Sequence, residues 1–163
     1  MHFKDLTKYK YAGKTDDSLN IGWLSRGHKF SVGEVPEEFV NKLWKYLRYP
    51  VQVCRGFHVC ELCKEPYNGP LIVKNKGILR KTGFYEMRVW GKDGKIYAAP
   101  SLIYHYITCH KYKPPQEFID AVLEAEDPDS EEYYQKVLEY SDGYDFWLEK
   151  DRMMVKKEID LSL

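Results

Sequence analysis

Apolar positions along the chain change period several times, and each change marks a different element. Phe39, Val40, Leu43, Trp44 and Leu47 recur at intervals of three and four, the spacing that gathers side chains on one face of an α-helix. Pro36 at the first helical position and Glu37 and Glu38 in the first turn suit the start of that helix, and Tyr49-Pro50 ends it. Val51-Gln52-Val53 predicts a short strand, as do Leu71-Ile72-Val73 and the run from Phe84 to Trp90. Asp93-Gly94 turns the last of these into a hairpin with Lys95-Ile96-Tyr97.

Three further helices follow. Pro100 opens one that runs through His110, and a second proline-started helix carries Phe118, Ile119, Val122 and Leu123 on one face. After the break at Asp127-Pro128-Asp129, Ser130 caps a third with Tyr133, Tyr134, Val137 and Leu138. Residues 1–34 hold glycines at 13, 22, 27 and 33 among short mixed segments and predict loop-rich structure anchored by Ile21, Trp23 and Leu24. Phe146 to Leu163 supports no single assignment.

A chain of 163 residues, 44% hydrophobic and 15% aromatic, can bury a core without covalent staples, so a metal would add to a core and not replace one. No stretch approaches the roughly 18 apolar residues of a membrane span, and Met1-His2-Phe3-Lys4-Asp5 lacks the apolar run of a secretory signal. The expected location is the cytoplasm, with no membrane partner. Four cysteines in a reducing compartment point to metal binding before disulfides.

Cys60-x2-Cys63 has the spacing by which two thiolates reach one ion from a tight turn. The helix downstream offers His105, Cys109 and His110 to complete a tetrahedral zinc site. At about 100° per residue, Cys109 lies about 40° around the helix from His105 and His110 about 140°, so a straight helix favours Cys109. Lys111-Tyr112-Lys113-Pro114 stops the helix just there, and an unwound last turn keeps His110 open as the fourth ligand. The order knuckle, hairpin, helix predicts an α+β fold: a small antiparallel sheet or hairpin with several short helices around a treble-clef-like zinc site. Cys54 has no partner at knuckle spacing and fits a small buried hydrophobe. His58 could orient a cysteine or act as a base beside an open zinc.

The run Arg55-Gly56-Phe57-His58-Val59-Cys60-Glu61-Leu62-Cys63, with Ala99-Pro100, Leu102-Ile103-Tyr104-His105-Tyr106 and His110-Lys111-Tyr112-Lys113-Pro114-Pro115-Gln116-Glu117-Phe118, resembles a group of small uncharacterised bacterial proteins. Leu19-Asn20-Ile21-Gly22-Trp23-Leu24 extends the likeness, which covers about residues 1–125. The resemblance implies a shared fold and no particular activity. It also implies His110 as fourth ligand, since the position of Cys109 is not usually cysteine in that group. The expected ligand set is therefore Cys60, Cys63, His105 and His110 around one structural Zn2+, in a zinc-supported domain of residues 1–125. Residues 126–163 are expected as an acidic extension packed on or continuing that domain.

Charge separates along the chain. Residues 64–95 hold eight lysines and arginines against three acids, and residues 116–163 hold five against fifteen. No catalytic nucleophile-and-base pair stands out, so the first expectation is a binding protein whose partner is another protein, for example an immunity-type inhibitor whose acidic segment meets a basic toxin. The alternative is a nucleic-acid-binding zinc protein using Lys64, Lys74, Lys76, Arg80, Lys81, Arg88, Lys92 and Lys95 with Phe84, Tyr85 and Trp90. A zinc-supported nuclease is the third.

Overall fold

A computed structural model describes residues 1–11, 14–65 and 67–140; Phe146 to Leu163, and Pro66 in the turn after the knuckle, lie outside them. Its elements are β1 (Lys8–Tyr11), β2 (Lys14–Asn20), α1 (Glu37–Tyr46), β3 (Leu71–Asn75), β4 (Ile78–Thr82), β5 (Glu86–Trp90), β6 (Ile96–Pro100), α2 (Ile103–His110), α3 (Gln116–Glu124) and α4 (Glu131–Tyr140). The fold is α+β. One sheet has the order β1-β2-β6-β5, antiparallel except for the parallel pair β2–β6, and β3 and β4 form a separate two-stranded ribbon.

Helices α1 and α3 follow their apolar periodicity: Phe39 and Leu43 on α1 and Phe118 and Val122 on α3 are buried, and the Phe39 and Phe118 rings meet edge to face. Val51 contributes one bridge to Glu86 and not a strand. The start of the chain departs from its loop-rich expectation. β1 and β2 read KYKY and KTDDSLN, too polar to announce strands. They form because Leu19 and Asn20 pair with Tyr97 and Ala98 of β6, a partner nearly eighty residues away.

β5 is buried on both faces. Met87 and Val89 point into the main core, while Glu86 and Arg88 alternate onto the other face. There Arg88 Nη1 donates to Glu86 Oε1 at 2.8 Å, and Tyr9 donates its hydroxyl to Glu86 Oε2. Arg88 is 0% exposed, so it is no part of a basic surface, and Tyr85 is also buried. α4 belongs to the same packing: Tyr133, Tyr134 and Val137 are buried, and the Tyr133 hydroxyl donates to the Arg88 carbonyl at 2.6 Å. Among the described residues no helix is long and apolar enough to cross a membrane.

Candidate metal centre

The knuckle around Cys60 and Cys63 is irregular backbone fastened from outside. Cys54 N–H donates to the Phe84 carbonyl and His58 N–H to the Gly83 carbonyl, each at 2.7 Å. Arg26 donates through Nε and Nη2 to the Glu61 carbonyl, and Cys60 N–H donates to the Tyr67 hydroxyl at 2.6 Å. Gly83 permits the close approach: its φ is +99°, and a Cβ there would stand 2.7 Å from the His58 carbonyl oxygen.

The other half comes from α2, held by buried Ile103, Tyr104, Tyr106 and Ile107. Its last turn does not stay α-helical. Lys111 adopts the left-handed conformation at φ 56°, and the N–H groups of both Lys111 and Tyr112 donate to the Tyr106 carbonyl. This wider turn, five and six residues apart where an α-helix has four, swings His110 back toward His105.

Four ligand atoms then converge. Cys63 Sγ lies 3.2 Å from His105 Nε2 and 3.6 Å from His110 Nε2; Cys60 Sγ lies 3.4 Å from His110 Nε2, and the two Nε2 atoms are 3.2 Å apart. All four atoms fall within 4.8 Å of one another. A tetrahedron with zinc–sulfur bonds of about 2.3 Å and zinc–nitrogen bonds of about 2.05 Å has edges of roughly 3.3–3.8 Å. The cluster could hold a metal ion of that size at its centre.

The electrostatics ask for a cation. Burial, then His110, lowers His105 to about 4, and burial also lowers His110. Burial pushes the Cys60 thiol up to about 11, with Cys63 beside it adding to the rise against the Leu62 N–H. Two buried and two half-buried groups thus face one another with lone pairs and weak donors, and a divalent ion would satisfy all four while drawing the thiols to thiolates.

Cys109 stays outside the cluster. It is exposed, with its sulfur 3.8 Å from the Thr108 hydroxyl. Cys54 is half-buried, not buried as expected, and its thiol approaches the Gln52 carbonyl at 3.5 Å. His58 is exposed, and its fixed contact is through its backbone. The fasteners Gly83, Tyr67 and Arg26 were missed from sequence; glycine after Thr82 in an otherwise β-forming run was the one available signal.

A family model described as Domain of unknown function (DUF7919) matches residues 1–123, a span that includes all four clustered side chains. No curated protein and no solved structure matches the chain.

Proposed function

The chain belongs to the DUF7919 family, and we propose that it is a non-catalytic binding protein whose recognition surface is held in place by one structural Zn2+ on Cys60, Cys63, His105 and His110. The single observation behind this reading is the four-cornered cluster itself, with edges of 3.2–3.6 Å in the measured pairs. Two sulfurs and two imidazole nitrogens suit zinc, and four protein ligands leave no position for a water or substrate. A nuclease or other zinc hydrolase needs that open position. The full chain purified without chelator should carry one zinc per molecule; elemental analysis finding none would sink the reading.

A specific surface favours nucleic acid as the partner class. Between Glu65 and Glu86 the sequence has no acid and four cations, and the β3–β4 ribbon and its turn carry all of them. Ile72 pairs with Lys81 and Lys74 with Leu79 across the ribbon. All four are exposed, Leu79 by 61%, and Lys76 sits in the turn with Gly77 at positive φ. None of Lys74, Lys76 and Lys81 has an ion-pair partner among the described residues. A two-stranded ribbon has the width of a DNA major groove. In the described part of the acidic segment three acids are already engaged within the chain: Asp127 meets Lys45 at 3.1 Å, Asp129 meets Arg48 at 3.0 Å and accepts from Tyr49, and Glu126 lies 3.8 Å from Lys136.

Replacing Lys74, Lys76 and Lys81 with Gln should weaken duplex binding measured by fluorescence anisotropy, and the log-salt slope should become shallower by about 0.9 for each phosphate no longer neutralised. If duplex DNA, duplex RNA and single strands all fail to bind at low salt, the partner is a protein.

A further inference from the structure

On the side of the sheet that carries Glu86, a half-enclosed cavity of about 270 Å³ opens beside the knuckle. Its walls include Tyr11, Trp23 and Tyr106. At its mouth stand Phe57 and Val59, which are 48% and 46% exposed although each is flanked by chain fixed to Gly83 or the metal cluster. Two half-exposed apolar residues at the rim of an aromatic-walled cavity, Phe57 also packing edge to face on Phe84, give a small molecule apolar surface to cover. The volume is near the lower end of ligand pockets, which run roughly from 300 to 1,000 Å³, and suits a molecule built on one ring.

The polar lining narrows the class. It contains two carboxylates, Glu61 and Glu86, the exposed imidazole of His58 on the outer side, and no lysine or arginine side chain. The cation at the rim, the Met1 ammonium, is 4.0 Å from Glu61. Glu86 is the buried carboxylate of the cavity, 3% exposed. Each of its oxygens accepts one hydrogen bond, from Arg88 and from Tyr9, whereas a carboxylate offers about four lone-pair sites. The remaining acceptor capacity has no protein donor among the described residues. The Arg88 guanidinium already balances Glu86 at 2.8 Å, so an anionic ligand would find a carboxylate with lone pairs to offer and its cation engaged, while a ligand N–H would complete the carboxylate's shell.

We propose that this cavity is a binding site for a small planar aromatic molecule carrying an N–H donor, uncharged or singly positive, with its ring between Trp23 and Tyr106 and its donor on Glu86. The site is separate from the metal cluster and from the β3–β4 ribbon, so it stands or falls independently of the nucleic-acid reading.

Three isosteric probes test it on the zinc-loaded full chain: benzamidine, benzamide and benzoate, followed by two-dimensional amide NMR. Benzamidine and benzamide should give saturable shifts at Gly83, Glu86 and Ser101, with benzoate weaker by at least about tenfold, equivalent to 1.4 kcal/mol. Phe57→Arg, a change at a half-exposed position whose ring packs edge to face on Phe84, should place a guanidinium at the mouth and reverse the order in favour of benzoate, with amide shifts away from the cavity unchanged to show that the fold is kept. The proposal is overturned if no probe gives saturable shifts at these amides, if the three bind equally or benzoate binds best to the wild type, or if Phe57→Arg leaves the order unchanged.

Discussion

Arg88 and His105 are both buried ionisable side chains, yet they are satisfied in different ways. Arg88 is neutralised by Glu86 at 2.8 Å, lies over the rings of Tyr9 and Tyr140 at 4.6 and 5.0 Å, and donates through Nε to the Tyr140 hydroxyl. Tyr140 in turn donates to Asp16. That network balances its charge on protein groups, although Arg88 Nη2 has no hydrogen-bond partner among the described residues and Glu86 keeps lone pairs to spare. His105 faces Cys63 and His110, which are lone-pair donors like itself. One region carries its counter-charge within the chain, and in the proposed zinc site the ion would supply it. Removing a side chain from the first strands a charge, while removing one from the second would release that ion.

The largest effect should therefore fall on the cluster. Structural zinc contributes about 10–16 kcal/mol in small zinc-binding peptides, so Cys63→Ser should lose metal and soluble yield together. His110→Ala should lower zinc affinity far more than Cys109→Ser, whose stability should stay within about 0.5 kcal/mol of wild type. Cobalt-substituted protein should show two thiolate ligands. Full zinc retention by His110→Ala, or a three-thiolate spectrum, would remove the contrast with the Arg88 network.

Next in size is Arg88→Met, which leaves Glu86 buried without its partner and should cost about 3–5 kcal/mol in urea unfolding. Adding Glu86→Gln to it should recover part of that loss, because the orphaned charge then disappears. A single-mutant cost under about 1 kcal/mol would show that the pair is not sealed from water.

The smallest effect is in pH, where the two regions should pull in opposite directions in metal-free protein. His105 is lowered to about 4, by burial and then by His110. Its contribution to stability is therefore present above the unfolded value of about 6.5 and lost as pH falls toward the folded value. Glu86 is raised by burial, against the pull of Arg88. Its contribution is fully present below the unfolded value of about 4.3 and lost as pH rises through its folded value. Glu86→Gln should accordingly steepen the loss of stability on acidification, measured by urea unfolding from neutral to mildly acidic pH. A profile parallel to that of the wild type would show that Glu86 titrates alike in folded and unfolded chains.

Three corners of the cluster were legible in the sequence, because Cys60-x2-Cys63 places two thiols by local spacing alone and His105 lies on a short helix of buried apolar residues. The fourth was not settled by regular helix geometry. An ideal helix prefers Cys109, and the Tyr106 carbonyl accepting from both Lys111 and Tyr112 is what turns His110 inward. The Arg88 network was hidden for a different reason. Arg88 and Lys81 look alike in a charge count, and burial of Arg88 with Glu86 depends on Tyr9 and Tyr140 arriving from distant parts of the chain.

Residue order alone therefore determined α1, α3 and α4, the β5–β6 hairpin and the metal-binding spacing, since each depends on periodicity within about fifteen residues. Tertiary structure decided the rest: that polar β1 and β2 are strands, that Arg88 is interior while Lys74 and Lys81 are surface, and that a cavity opens beside the knuckle. Those features depend on which distant backbone supplies the hydrogen bonds and which side chains exclude water, and no local window contains either partner.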